Sequence, residues 1–226
     1  CWTPVERFGI DVAADWNARL LVEDGSAFEV HRQGQRLGEV HWSLLGRHNV
    51  MNALAALAAA SAAGADPVAL LPAFSEFHNV KRRLQVLGTP RGQTVYDDFA
   101  HHPTAIRSTL AGLRAKVGSA RIVVAIEPRS NSMRLGAHAA ELAPSLHEAD
   151  LVVFLRRPEL PWDADTVINA LRGEGVAVAS VDALLDALQQ HSHVGDHVVF
   201  MSNGGFEGAP RRWASTPSDR APFRPA

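Results

Sequence analysis

Two carboxylates and two imidazoles fall within six consecutive residues, Asp97, Asp98, His101 and His102, and Pro103 follows them. Carboxylate and imidazole both suit a divalent ion. The same residues could instead cap a helix with solvated histidines, or handle phosphate and protons. Gln93–Tyr96 predicts a short strand and Pro103–Lys116 a helix, with Pro at its first position where the missing N–H costs nothing. The cluster is therefore expected on a strand-to-helix loop. In an α/β sheet, ligands bind outside the carboxyl ends of the strands, and helix N-terminal amides favour anions. No further His or carboxylate follows at a convincing ligand spacing, so no metal site is expected.

Five other stretches carry chemistry. His48, Asn49 and Asn52 open an Ala-rich run. The paired donor and acceptor of an Asn amide match an adenine edge, and a spacing of three brings Asn49 and Asn52 onto one helical turn. The plainer reading is an N-cap Asn49 beside a solvated Asn52. Lys81-Arg82-Arg83, taken by itself, reads as a solvated basic patch; the guanidinium fork is nonetheless well shaped for oxyanions. Arg129, Ser130 and Asn131 follow one apolar run, Arg156 and Arg157 the next, and Ser202 and Asn203 the last. Such a set of donors suits a ligand with several carboxylates, though Gly in turns and Arg for solubility are ordinary loop chemistry.

The elements that must position these residues change character along the chain. Phe28–His31 and Gly38–Trp42 alternate apolar and polar around Gln33-Gly34-Gln35, which predicts a β-hairpin. An Ala-rich helix ends at Gly64, and Asp66-Pro67 starts a short one to about Phe74. Residues 1–27 resist assignment. From Phe77 on, strands are predicted at Leu84–Leu87 and Thr94–Tyr96. Continuous apolar runs at Ile122–Ile126, Leu151–Leu155, Val176–Ala179 and Val198–Met201 then alternate with helices at Gly136–Glu148, Asp163–Arg172 and Asp182–His191. That is the pattern of an α/β, doubly wound, mostly parallel sheet. Domains are expected at 1–76 and 77–208, with a Pro/Arg-rich tail at 209–226 that forms a short helix at most and is otherwise disordered.

The 226 residues carry 22 basic and 24 acidic side chains. That balance gives no general attraction to nucleic acid or membrane, and no apolar run nears the ~20 residues of a membrane helix. The single cysteine, Cys1, rules out an internal disulfide and fits a reducing compartment.

Tyr96–Ile106, with Lys81–Leu84 before it and Glu127–Met133 and Met201–Phe206 after it, closely resembles the Mur ligase family. The implied fold is the end of that family's central domain, followed by its Rossmann-like C-terminal domain. The implied activity is ATP-dependent amide ligation in bacterial cytoplasmic peptidoglycan recycling. UDP-N-acetylmuramate would be joined to the murein tripeptide L-Ala-γ-D-Glu-meso-diaminopimelate through an acyl phosphate. A muramate–L-alanine ligase and a metal hydrolase using the Asp/His cluster are the alternatives. The resemblance assigns His48, Asn49 and Asn52 to adenine, Arg83 to the ATP phosphates and Asp98 to the ribose. His101 or His102 would meet the reacting group, and Arg129, Ser130, Asn131, Arg157, Ser202 and Asn203 the peptide. No Gly-rich phosphate loop occurs in the 226 residues. The nucleotide loop and the Mg²⁺ ligands are thus expected in an N-terminal part of the same polypeptide, and this chain alone is expected to be inactive. Ala100 stands where some relatives carry Lys, and Phe206-Glu207-Gly208 departs from the family's usual Phe-Gly-Gly.

Overall fold

The computed structural model describes residues 2–131, 135–158, 160 and 162–216. Cys1, Ser132 and Met133 of the strand-end motif, and the tail from Pro217 for which disorder is expected, lie outside the described residues. By contact the chain divides into two units. One holds the residues up to Asn79 with Ala111–Gly118, the other Val80–Leu110 with the residues from Ser119 on.

The first unit is built on a four-stranded sheet, β1 (Phe8–Ile10), β2 (Trp16–Leu20), β3 (Ala27–Arg32) and β4 (Gln35–His41), paired in that order. The expected hairpin is β3–β4. Gln33 and Gly34 both take positive φ, 49° and 81°, the two-residue turn whose twist matches the strands. Strands β1 and β2 occupy the stretch that resisted assignment and pair in parallel. Helix α1 (Arg47–Ala62) packs on this sheet, where Val50, Leu54 and Leu57 meet Ile10, Trp16, Phe28 and Val30 in one core. Gly64, at φ +95°, closes α1 as expected. Its N–H reaches Ser61 O at 2.9 Å, and that of Ala65 reaches Ala60 O at 3.0 Å. The single helix expected after Asp66 is instead two short turns, α2 (Pro67–Leu70) and α3 (Ala73–Glu76).

The second unit is a six-stranded sheet in the order β5-β6-β10-β7-β8-β9. Its strands are β5 (Gln85–Gly88), β6 (Thr94–Asp98), β7 (Ile122–Ile126), β8 (Leu151–Leu155), β9 (Glu174–Val178) and β10 (His197–Met201). Only β5, at the edge, runs antiparallel to its neighbour; the other pairings are parallel. Every residue of β7 and β8 is buried, as strands covered on both faces must be. Helices α4 (Pro103–Val117), α5 (Ala139–Ser145), α6 (Ala164–Asn169) and α7 (Val181–His191) alternate with the strands. Helix α8 (Ala209–Ala214) begins what composition marks as tail. It is seated in the core through Ala209 and Trp213, beside Phe206.

The register sets the site. Met201 lies level with both Asp98 and Ile126, and Ile126 with Phe154. The residues just beyond, Phe99, Ser202, Glu127 and those after Leu155, therefore emerge along one edge of the sheet.

Candidate active site

Strand β6 does not stop at Tyr96, as expected, but carries Asp97 and Asp98 as its last two residues. Asp98 is 1% exposed. Its two oxygens accept the backbone N–H groups of Ala100 (2.7 Å) and Leu84 (2.6 Å). Burial pushes the Asp98 carboxyl above the usual aspartate range, although these two amides and the Arg83 charge pull the other way. Arg82 ties two strand ends together. Its Nε donates to Asp97 at 3.2 Å and its Nη2 to the Ser202 carbonyl at 2.5 Å, and it stacks over Phe99. Arg83 sits 5.9 Å from the same ring centroid.

The two histidines are held in opposite senses. His101 Nδ1 lies 2.8 Å from the Phe99 carbonyl. A carbonyl only accepts, so Nδ1 carries the proton and a neutral ring leaves Nε2 as the acceptor. His102 Nδ1 accepts the N–H of Thr104 at 3.3 Å at the start of α4, so a neutral His102 carries its proton on Nε2. The His102 ring also meets His138 edge-on, with centroids 4.4 Å apart. Among the described residues, no three His, Cys, Asp or Glu come together as a cation site.

At the ends of β7, β8 and β10 the polar side chains form a network. Glu127 is 1% exposed. One of its oxygens accepts Arg157 Nε (2.9 Å) and Nη2 (2.5 Å), and the other the Ser202 hydroxyl (2.7 Å). Ser202 Oγ in turn accepts the N–H of Gly204 at 3.0 Å. Arg157 Nη1 pairs with Glu207 at 2.6 Å. Burial acts to lower the Arg157 pKa, but its bonds to Glu127 and Glu207 outweigh it and the pKa is raised.

Ser202, expected at the peptide, thus points into the protein, while Arg157, also expected there, is held inward through Nε and Nη2 and meets exposed Glu207 through Nη1; both organise the strand ends. Arg129 differs. It is exposed, and among the described residues it has no hydrogen-bond or ion-pair partner. Its side chain lies over Gly204, where a Cβ would come 2.6 Å from Arg129 Cδ and 2.9 Å from Nη1. The carbonyl oxygen of the Asn203 side chain is buried without a hydrogen-bond partner. Ser130 and Asn131 follow Arg129 in the same loop, half-buried and exposed.

In the first unit, Asn49 is not the N-cap of α1. Gly46, at φ 90° and ψ 145°, takes that position, which a side chain enters only with strain. Asn49 lies inside the first turn and its amide donates back to the Leu45 carbonyl at 2.8 Å. Asn52 is exposed, one turn on.

Of the residues that organise this edge, sequence reading gave no role to Glu127 or His138, placed Arg82 only within a basic stretch, and noted Glu207 only as a departure from the family's loop. For Glu127 a signal existed. A carboxylate directly after five buried strand residues must find a positive or donating partner.

The glutamate ligase domain model of the Mur ligases matches residues 82–204, and their middle domain model matches residues 2–60. The chain belongs to the Mur ligase family. It is 46% identical over 209 residues to the UDP-N-acetylmuramate–L-alanyl-γ-D-glutamyl-meso-2,6-diaminoheptandioate ligase of Escherichia coli K12, covering 92% of this chain and 45% of that protein. The crystal structure of a murein peptide ligase from Psychrobacter arcticus is similar to 98% of this chain, with a TM-score of 0.71 at 38% identity, and 48% of that chain is covered. A UDP-N-acetylmuramate–L-alanine ligase of Symbiobacterium thermophilum is 34% identical over 97% of this chain and 48% of its own length. The chain thus spans about half the length of the curated relatives it matches. As Mur ligases are ATP-dependent amide ligases, a metal hydrolase built on Asp97, Asp98, His101 and His102 has no support.

Proposed function

We propose that this chain is the acceptor-peptide half of an ATP-dependent ligase that joins UDP-N-acetylmuramate to L-Ala-γ-D-Glu-meso-diaminopimelate in peptidoglycan recycling. The lactyl carboxylate is first phosphorylated by ATP. The peptide α-amine then attacks the acyl phosphate, and the tetrahedral intermediate collapses to the amide and phosphate. Positioning and charge stabilisation do most of this work.

One observation carries the reading to the peptide rather than to the nucleotide. The exposed Arg129 guanidinium lies over Gly204, at a sheet edge where Glu127, Arg157 and Glu207 are already paired with one another. Arg129 takes a peptide carboxylate, with Ser130, Asn131 and Asn203 beside it. The unpaired Asn203 oxygen suits a donor on the ligand. Ser202 and Arg157 hold these loops in place. His48, Asn49 and Asn52 are the adenine contacts of the first unit. Arg83 is the phosphate contact of the second, with Asp98 near the ribose. His101 offers a neutral Nε2 to a proton of the attacking amine, and His102 an Nε2–H to phosphate oxygen. The described residues do not fit a Mg²⁺ site of their own. We further propose that the domains divide at 76/77, that the reaction is cytoplasmic, and that ligation requires a phosphate loop from an N-terminal part of the polypeptide.

The test is a titration of the chain with the tripeptide by calorimetry. Arg129→Ala should weaken binding about ten- to a hundredfold, the worth of one charge-assisted contact, and leave ADP binding unchanged. An ADP effect without a tripeptide effect would move Arg129 to the nucleotide. In the complete polypeptide, phosphate release stimulated by L-alanine rather than by the tripeptide would assign the alanine ligase activity instead.

A further inference from the structure

Arg157 is gripped by two carboxylates of unlike character. Glu127 takes Nε and Nη2 and has no exposed side-chain surface; Glu207 takes Nη1 at 2.6 Å and is 55% exposed. The inner pair is fixed, because without Arg157 the Glu127 charge would be left unpaired away from water. The outer pair is different, since an ion pair open to solvent is worth little and a second carboxylate can replace it.

The backbone does not favour keeping Glu207 there. Phe206 and Glu207 stand at φ +49° and +47°, ahead of Gly208 at +74°. Three successive residues in the left-handed region, two of them with side chains, make a turn under strain. Glu207 therefore holds a poorly protected ion pair from a strained turn, on the strand edge that carries Arg129 and Gly204.

We propose that Glu207 is a resident competitor. Its carboxylate occupies the outer edge of Arg157 in the free protein, and a carboxylate of the incoming peptide displaces it. This rests on the acceptor-peptide reading above. With Glu127 opposite, Arg157 is neutralised once. Glu207 adds a net negative charge that repels any acid too weakly held to replace it. Acceptors whose carboxylates are anchored at several points, as on Arg129 together with Arg157, pass this filter; a small monocarboxylate does not. Glu207 is thus a specificity-determining residue that lowers affinity for every acceptor carboxylate.

The experiment measures tripeptide binding to the 226-residue chain by calorimetry, for wild type, Glu207→Gln and Glu207→Gly. Glutamine keeps the size and removes the charge; glycine also relieves the positive φ. Both should bind the tripeptide tighter, by about two- to fivefold, the range of an exposed ion pair. A tripeptide with all carboxylates converted to amides should show no difference among the three proteins. Equal or weaker tripeptide binding in both variants would overturn the proposal, because Glu207 would then be supporting Arg157 and not competing for it. So would a gain that persists with the amide. No tripeptide binding by any of the three proteins would overturn the acceptor-peptide reading, and the competitor with it.

Discussion

The two units solve the same problem, placing charge on a sheet, in opposite ways. In the first, several ion pairs lie on and beside the strands, in contact with water. Arg36 bridges Glu29 and Glu39, and Arg32 reaches Glu6, all with side chains in partial contact with water. The strands themselves are already held together by the hydrophobic packing of Trp16, Phe28 and Val30 against α1. In the second, Asp98, Glu127 and Ser202 are each 1% exposed, and all three sit at strand ends where loops depart. Each of their bonds spans a loop or two strands. Exposed pairs decorate a scaffold, whereas buried ones at strand ends determine where the loops go.

The largest effect expected from this contrast is at Glu127. Glu127→Ala would leave Arg157 and the Ser202 hydroxyl without their inward partner. It should cost roughly 3 kcal/mol in urea-induced unfolding, allowing for the partial exposure of Arg157. Glu127→Gln, which keeps one acceptor, should cost less. If Glu127→Ala lies within about 0.5 kcal/mol of wild type, the range of ordinary surface changes, the strand-end network is decoration too and the contrast fails.

Much of this was readable beforehand, and the failures have physical causes. Strands β7 and β8 appear in the sequence with the bounds the structure gives them, because five consecutive apolar residues between polar ones leave little choice. Strand β1 was not readable, because three residues, FGI, carry no periodicity; β2, WNARL, is nearly as mixed. The start of α1 was misjudged at Asn49 because Asn is a strong cap, and only backbone conformation reveals that Gly46 takes the position. At the site, the sequence places Arg129 and Arg157 alike, each just after a buried strand. What separates them is Glu127, thirty residues before Arg157, and Glu207, fifty after it. Such pairings are fixed by register and lie beyond the reach of spacing.

Next in size is Gly204→Ala. The new methyl group would come within 2.6 Å of Arg129 Cδ. Arg129 is exposed and flexible, so it should move aside with little loss of stability, within about 0.5 kcal/mol. The move should nonetheless take the guanidinium from its position, raising the tripeptide Kd several-fold, by an amount below that of Arg129→Ala. Unchanged tripeptide affinity would show that Arg129 does not need its seat over Gly204.

The smallest and most discriminating effect is in the titrations. Asp98 is raised by burial, while Glu29 is lowered by its bonds to Arg36 and His31, and Glu6 by those from Trp16 and Arg32. The signs of linkage follow from these directions. For Glu29 and Glu6, the stabilisation is present above the unfolded-state pKa and is lost as pH falls through the lower folded value. For Asp98, ionisation costs the folded state, so its contribution is favourable in acid and is lost as pH rises from the unfolded-state value through the higher folded one. Acidification should therefore weaken the Glu29 and Glu6 pairings of the first unit while relieving Asp98 in the second. Side-chain carboxyl carbon shifts followed by NMR should give an Asp98 midpoint above the ordinary aspartate value and a Glu29 midpoint below the ordinary glutamate value. Arg36→Ala should return Glu29 toward its ordinary value and leave Asp98 where it is, since a solvent-screened pair on one unit has no bearing on a carboxyl held by two backbone amides on the other. Midpoints shifted in the same direction for both residues would mean that burial and pairing do not separate the two units.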